Sequence, residues 1–167
     1  KVRRTVKETA SSVAVIGNRQ LQEQPEAAAV RDVTRNIPNV LYTGPGSAPV
    51  IRGVDGQGAS SGAGAFYGGT VPRARVNVDG HNLNFWETAF GTTSIWDVDS
   101  VEVYRGPYTA ALGANSTASS VIVNTKDPTF KPEGAAQLQL GSSKARRASV
   151  MLSRPLVDEE LAARIAL

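Results

Sequence analysis

Apolar and polar residues alternate in short stretches over the first 128 positions, which is the period of half-buried strands. The clearest case is 74–79, where Val76 and Val78 share one face and Asn77 lies on the other. Glycine or proline follows most of these stretches, so each strand is predicted to be short. The sequence predicts strands or extended segments at 12–17, 40–42, 50–53, 74–79, 101–104 and 121–128.

Helical spacing is confined to the opening part of the chain. A brief helix is predicted over 18–21, with Asn18 as its capping residue. A longer helix is predicted over 26–36, because apolar residues recur at i, i+3 and i+7 from Val30. Strands and helices are therefore predicted to alternate in this region.

Turn residues dominate two further regions. From 43 to 72 the chain is rich in glycine and other turn residues, apart from 49–53, and the glycine-rich stretch 53–69 is predicted to be a surface loop. The stretch 81–94 is predicted to be a second loop, which carries Phe85, Trp86 and Phe90. Binding residues concentrate on loops that a rigid scaffold positions, so both regions are candidate binding surfaces.

The pattern changes after Pro128, and three later segments alternate between apolar and polar side chains: 136–141, 148–152 and 161–167. Such segments, joined by short turns, are typical of the first antiparallel hairpins of a large barrel. A meander in a small soluble sheet would have the same pattern. We place the domain boundary so that 1–132 is one domain and 133–167 begins another.

The composition is that of an ordinary folded chain of 167 residues, with 41% hydrophobic and 20% charged residues. No stretch approaches the roughly 20 apolar residues that a membrane-spanning helix needs. The absence of cysteine excludes disulfides, thiolate metal sites and a cysteine nucleophile. The net charge of +3 is small and the basic residues are scattered, so no nucleic-acid partner is predicted.

The sequence offers little chemistry for an enzyme site. The single histidine, His81, lies two residues from Asp79, but no Gly-x-Ser-x-Gly segment supplies a serine nucleophile. One histidine without any cysteine is also a poor set of metal ligands. The glycine-rich stretch that begins at Gly56 matches neither a dinucleotide-binding loop nor a phosphate-binding loop. We therefore predict no catalytic residue, no metal and no cofactor.

Three charged side chains lie at strand ends, each close to a glycine or a proline. Arg52 closes one strand, and Glu102 and Arg105 belong to another. Residues three apart on a strand point to opposite faces, so Glu102 and Arg105 are not a simple neighbouring pair. Solvated ion pairs at such positions contribute at most about 1 kcal/mol each. At least one of the two side chains is therefore predicted to find its partner elsewhere.

The ordered segments of the chain resemble the plug domain of TonB-dependent outer-membrane receptors, of the siderophore-receptor type. They are N-I-P-N-V at 36–40, I-R-G at 51–53, V-D-G at 78–80, V-E-V-Y-R-G-P at 101–107, V-I-V-N-T-K-D-P at 121–128 and L-A-A-R-I at 161–165. The resemblance covers 13–128 as the plug and 133–167 as the first barrel strands. It departs at Val54, where an aromatic residue is usual, and at 119–120, where serines replace two glycines. A recognisable TonB box is also absent, and it is expected ahead of Lys1.

The resemblance implies an α+β fold: a compact plug with a small mixed β-sheet, short helices and long apical loops, followed by antiparallel hairpin segments that begin a barrel. It implies a gating role, without bond chemistry, in the outer membrane of a Gram-negative cell. The plug would lie in the barrel lumen and face the periplasm. Its partners would be its own C-terminal barrel, expected beyond Leu167, TonB of the inner-membrane energising complex, and a metal chelate such as a ferric siderophore.

Site residues follow from the same resemblance. Arg52 and Arg105 would pair with glutamates on the barrel wall and, together with Glu102, form a charge lock that retains the plug. Aromatic side chains with an arginine suit an anionic metal chelate, so ligand contacts are predicted on the apical loops. The predicted ligand-binding residues are Tyr42, Gln57, Phe66, Tyr67, Arg73, Phe85, Trp86 and Tyr108.

Two alternatives stay open at this point. The first is a free-standing soluble extracytoplasmic module for binding or adhesion. The second, which is weaker, is a hydrolase that uses His81 and Asp79. About twenty further alternating strands in the downstream coding sequence would separate a receptor from the free-standing module.

Overall fold

The computed structural model describes residues 12–24, 26–44, 47–54, 64, 67–68, 73–91, 93–106, 119–141, 146–157 and 160–167. The chain divides into two compact units, Lys1–Thr125 and Lys126–Leu167. The strands of the described residues are β1 (Val13–Gly17), β2 (Val40–Leu41), β3 (Val50–Ile51), β4 (Ala74–Val78), β5 (His81–Asn82), β6 (Val98–Tyr104), β7 (Ser119–Thr125), β8 (Glu133–Leu140), β9 (Arg146–Val157) and β10 (Leu161–Ala166). Their helices are α1 (Asn18–Gln22), α2 (Val30–Thr34) and α3 (Phe85–Phe90). None of these helices is long and apolar enough to cross a membrane.

A five-stranded mixed sheet organises the first unit, in the order β1-β6-β7-β4-β5. The strand β7 lies between β6, to which it is antiparallel, and β4, to which it is parallel. The edge strands β1 and β5 are each antiparallel to their neighbour. A separate antiparallel pair is formed by β2 and β3. A small mixed sheet with short helices confirms the predicted α+β class.

The core lies on the central strands of this sheet. Alternate valines of β6 and β7 are almost fully buried: Val101, Val103, Val121 and Val123. The same apolar cluster includes Leu21 of α1 and Val33 of α2, so both helices are held by apolar packing. Burying one such side chain contributes about 1.5–3 kcal/mol, which exceeds what a five-residue helix gains from its own hydrogen bonds.

The second predicted helix is shorter than expected, because α2 begins at Val30 instead of at residue 26. The Asp32 carboxylate accepts hydrogen bonds from the backbone N–H groups of Ala28 and Ala29, both at 3.0 Å. Ala29 has extended backbone angles and forms a bridge with Ser94. A side chain that caps the backbone from inside the helix therefore fixes its start.

The predicted loop over 81–94 contains a short strand and a helix, β5 and α3. Asn84 and Glu87 form a capping box: Asn84 Oδ1 accepts from the Glu87 N–H at 2.9 Å, and Glu87 Oε2 accepts from the Asn84 N–H at 2.8 Å. The Asn-x-x-Glu spacing was therefore a helix signal that the prediction overlooked. The predicted cap at Asn18 is also wrong, because Asn18 is the first residue of α1 and Gly17 occupies the capping position.

The second unit is a three-stranded antiparallel sheet in the order β8-β9-β10. The register places one set of apolar side chains on one face, and they are 47–73% exposed: Leu138, Leu140, Val150, Leu152 and Ile165. The opposite face contains the buried Ser149, Met151 and Ser153 and the covered Arg164 side chain, which pairs with Glu133 at 3.8 Å. The predicted alternation is confirmed, with the apolar face exposed.

Candidate functional site

Arg52 occupies an unusual backbone conformation in a tight turn that follows β3. Ile51 and Val54 exchange both backbone hydrogen bonds, at 3.2 and 3.0 Å, so the turn between them has two residues. Those residues, Arg52 and Gly53, have φ angles of 55° and 75°. Two left-handed residues are typical of a type I′ hairpin turn, where asparagine, aspartate and glycine are the favoured residues. An arginine at the first position is costly and requires local support.

That support comes from both the main chain and the side chain of Arg52. Its N–H donates to the carbonyl of Asn39 at 2.9 Å, and Asn39 is itself left-handed, with φ 66°. Its guanidinium Nη1 donates to the carbonyl of Arg105 at 2.8 Å. The arginine turn is thus bonded to two segments that are distant in sequence.

Arg105 lies just after β6 and connects three segments. Its N–H donates to the carbonyl of Ser12 at 2.8 Å, which continues the ladder between β1 and β6. Its Nη1 donates to the carbonyl of Pro38 at 3.3 Å. Its Nε is buried, and no acceptor in the described part of the chain bonds it. The structure therefore brings the two predicted arginines together through carbonyl groups, and no carboxylate of the described residues neutralises their charges.

Glu102 lies apart from this arginine pair. Its Oε2 accepts from the Tyr104 hydroxyl at 2.8 Å, and its Oε1 is 3.5 Å from Nδ2 of Asn124. Neither Arg52 nor Arg105 forms an ion pair with a carboxylate within the described residues. The geometry thus brings together Arg52 and Arg105, two of the three residues predicted for the lock. The third, Glu102, connects β6 to β7 through its contact with Asn124.

Tyr42, the first of the predicted ligand residues, packs against α2. Its hydroxyl lies 2.8 Å from Oγ1 of Thr34, and the Arg31 guanidinium lies over its ring, 4.7 Å from the centroid. Burial raises the pKa of Tyr42 above its ordinary value, although the Thr34 hydrogen bond and the Arg31 charge act in the opposite direction. The hydroxyl of Tyr42 is therefore engaged within the domain.

The capping box of α3 fixes where the neighbouring aromatic rings lie. Phe85 is 5% exposed and packs with Ala89, whereas Trp86 and Phe90 are 49% and 43% exposed. The Trp86 and Phe90 rings are 4.6 Å apart, as residues four apart on a helix can be. The helix thus buries Phe85 and exposes Trp86, which were predicted to lie together in a loop. It also pairs Trp86 with Phe90, a residue of that predicted loop that was not among the predicted ligand residues.

The other predicted ligand residues are partly outside the described chain. Tyr67 is 82% exposed, and Arg73 is exposed just before β4. Gln57, Phe66 and Tyr108 lie outside the described residues. A cavity of about 190 Å³ is lined by Gln24, Glu26, Ala27, Asp32, Arg35 and Asn36. It includes none of the predicted ligand residues and is smaller than the roughly 300 Å³ at which ordinary ligand pockets begin.

The arrangement required for a hydrolase is not present at His81 and Asp79. Asp79 uses Oδ1 and Oδ2 to accept hydrogen bonds from the Thr125 N–H and hydroxyl, at 2.8 and 2.7 Å. His81 is exposed, and its Nε2 lies 3.7 Å from Oε2 of Glu87. The described residues contain no group of three side chains that could hold a metal ion. Asp79 therefore joins β4 to β7 and does not orient His81.

Comparison with known proteins identifies the family of this chain. Residues 5–120 match the family model of the TonB-dependent receptor plug domain. The chain is 26% identical over 162 residues to the ferrioxamine B receptor of Salmonella typhimurium (strain SL1344), covering 95% of this chain and 22% of that receptor.

Solved structures of siderophore receptors have a similar fold. The ferric yersiniabactin uptake receptor of Yersinia pestis superposes with a TM-score of 0.77 at 22% identity, covering 98% of this chain and 24% of that one. For the ferripyoverdine receptor of Pseudomonas aeruginosa the TM-score is 0.71 at 22% identity, covering 96% of this chain and 20% of that one. The chain thus spans about a quarter of these proteins or less. Because the family model covers more than half of its length, the chain belongs to the family of TonB-dependent receptor plug domains.

Proposed function

We propose that this chain is the gating plug, with the first barrel strands, of an outer-membrane transporter that binds and admits a ferric siderophore. The relatives are receptors for ferrioxamine B, ferric yersiniabactin and ferripyoverdine. In this proposal the plug lies in the lumen of its own barrel and faces the periplasm. TonB acts on the segment ahead of β1, and the plug rearranges so that the bound chelate passes.

The observation that carries the proposal is the distribution of side chains on the β8-β9-β10 sheet. In a soluble protein, a sheet that packs on the core buries apolar side chains and exposes polar ones. Here Leu138, Leu152 and Ile165 are more than 60% exposed, and the buried residues of β9 are Ser149 and Ser153 with Met151 between them. Apolar-out and polar-in alternation is the arrangement of strands whose outer face contacts lipid and whose inner face lines a polar lumen. This favours the receptor over the free-standing soluble module and supports 133–167 as barrel strands.

We further propose that Arg52 and Arg105 retain the plug by pairing with carboxylates of the barrel wall. Both guanidinium groups donate to backbone carbonyls, which satisfy hydrogen bonds but carry no compensating charge. Two neighbouring arginines inside a lumen would require negative partners, because an unpaired buried charge is costly. Glu102 is bonded to Tyr104, so its contribution to the lock is to stiffen β6.

The surface proposed to contact the ligand centres on α3. Trp86 and Phe90 form an exposed aromatic pair, which suits stacking on an aromatic or flat chelate. Tyr67 and Arg73 are exposed and stay in the proposed set together with Gln57, Phe66 and Tyr108. We expect Phe85 and Tyr42 to act indirectly, because both are packed within the domain.

Uptake in a Gram-negative host without its own siderophore receptors tests the transport proposal. The complete receptor should restore growth on iron-limited medium with at least one of ferrioxamine B, ferric yersiniabactin and ferripyoverdine, and only in the presence of TonB. Growth that persists without TonB would contradict gated transport. Failure with all three chelates would refute a cargo shared with these relatives.

Variants of the complete receptor test the two proposed sites. Trp86→Ala should weaken chelate binding, whereas Phe130→Ala, which removes a ring of similar exposure (51%), should not. Arg52→Gln removes the charge and should loosen plug retention, and Arg52→Lys should preserve most of it. Equal behaviour of the Gln and Lys variants would mean that charge pairing does not retain the plug.

A further inference from the structure

Five residues of the plug meet around one backbone position, and we call them the Arg105 junction: Ser12, Pro38, Asn39, Arg52 and Arg105. The Arg105 N–H donates to the Ser12 carbonyl, and the Arg105 carbonyl accepts from the Arg52 guanidinium. Its side chain reaches Pro38, and the next residue, Asn39, accepts from the Arg52 N–H. A single residue, Arg105, therefore links the start of β1 to the arginine turn through hydrogen bonds.

We infer that Arg105 couples the start of β1 to the Arg52 turn, so that withdrawal of β1 releases the turn. The Ser12 carbonyl holds the Arg105 backbone at the end of the ladder between β1 and β6. When that bond opens, the Arg105 carbonyl is no longer fixed, and the Arg52 side chain loses a defined acceptor. This coupling is a property of the plug alone, and its role in releasing the proposed lock rests on the proposed function.

The backbone conformation of Arg52 makes the turn responsive to this loss. A left-handed arginine persists only where the surroundings over-determine it, and its bonds to Asn39 and Arg105 are that support. Loss of one of the two bonds shifts the turn toward conformations in which Ile51 and Val54 are no longer paired. Arg52 would thus move away from its position as a consequence of a change at Ser12.

The position of β1 in the sheet allows it to open first. In the described sheet β1 is an edge strand and pairs with β6 alone. The β6–β7 and β4–β7 pairings involve no residue of β1, so these pairings can persist without it. The junction therefore allows a local opening that reaches Arg52 while most of the plug stays folded.

Amide hydrogen exchange of the full chain tests the coupling with two proline variants of β1. Ser12 and Arg105 form a hydrogen-bonded pair, so by alternation Ala14 and Val103 do as well, whereas Val13 and Tyr104 do not. Ala14→Pro therefore removes a ladder bond, and Val13→Pro, at the first residue of an edge strand, removes none. We expect Ala14→Pro to accelerate exchange of the Arg52 amide by about tenfold, the effect of losing one net hydrogen bond, and Val13→Pro to change it little.

The reciprocal experiment keeps the inference falsifiable if Ala14→Pro unfolds the chain, which loss of protection at Val123 would reveal. Arg52→Asn removes the guanidinium and keeps a residue that accepts the left-handed conformation. Coupling is mutual, so the Arg105 amide should exchange several-fold faster. Arg19→Gln is the matched control, since Arg19 pairs only with the nearby Glu23 among the described residues, and it should leave Arg105 unchanged.

Each result decides the inference. Faster exchange at Arg52 with Ala14→Pro, or at Arg105 with Arg52→Asn, supports the coupling. Unchanged exchange at Arg52 in a folded Ala14→Pro chain, or at Arg105 in the Arg52→Asn chain, overturns it. None of these measurements involves transport, so failure of the coupling and failure of the receptor function are distinguishable.

Discussion

Asp79 joins the ends of the parallel strands β4 and β7, and replacing it should destabilise the first unit in two separable ways. Its carboxylate accepts two hydrogen bonds from Thr125, at 2.8 and 2.7 Å, and its own N–H donates to Val123 at 3.0 Å. Its φ angle is 49°, a left-handed value that aspartate tolerates better than alanine does. One substitution therefore changes both hydrogen bonding and backbone strain.

The magnitudes of the two effects can be worked out separately. A carboxylate acceptor contributes about 1.5–3 kcal/mol per hydrogen bond when buried, and the exposure of this site reduces the two bonds together to about 1–2 kcal/mol. Alanine at a left-handed position adds roughly 1 kcal/mol. We therefore expect Asp79→Ala to lower the free energy of unfolding by about 2–3 kcal/mol and Asp79→Gly by about 1–2 kcal/mol.

Urea-induced unfolding of the full chain, followed by tryptophan fluorescence, measures these differences. Thr125→Val is the matched control, because it removes the hydroxyl bond at Asp79 Oδ2 and leaves the N–H bond at Oδ1. Thr125→Val should lower the free energy of unfolding by about half as much as Asp79→Gly does. Equal losses for Asp79→Ala and Asp79→Gly would show that backbone strain does not matter here. A loss below about 0.5 kcal/mol in both would refute the contribution of the Thr125 bonds.

Three further predictions concern other parts of the first unit. Asn84→Ala should lower stability by about 1 kcal/mol and loosen the Trp86–Phe90 pair, and an unchanged unfolding midpoint would contradict the capping box. Ile51→Ala should cost about 2–4 kcal/mol in urea unfolding, because the side chain is 1% exposed. The pKa of Tyr42 is raised in the folded state, so its stabilising contribution is complete below pH 10.0 and is lost as the pH rises further. Tyr42→Phe should weaken that alkaline loss in pH-dependent unfolding, and an identical profile would contradict the argument.

Local pattern predicted most of the strands but missed β5, and it was insufficient for the helix bounds. The buried valines of β6 and β7 alternate as the sequence indicated, since a half-buried strand imposes a period of two. The start of α2 depends on the Asp32 side chain, which competes for backbone donors ahead of the helix. The capping box of α3 was visible in the sequence, but its aromatic residues suggested a binding loop instead.

The arginine pair shows where sequence reasoning ends. Arg52 and Arg105 are 53 positions apart, and their contact depends on strand order, which the residues alone do not specify. Family resemblance selected both residues as site candidates, but the acceptors were predicted to be carboxylates. Those carboxylates are expected on the barrel wall, and that pairing stays a prediction. Within the described residues the two guanidinium groups donate to backbone carbonyls of Arg105 and Pro38, which no side-chain pattern reveals.

The central place of β7 has a consequence for when this domain can fold. Without β7, the described sheet separates into the β1–β6 and β4–β5 pairs, and isolated two-stranded units are marginal in water. The parallel pairing of β4 with β7 also needs a long loop to close before it contributes. The nascent plug therefore gains its tertiary structure only after Thr125 has been synthesised.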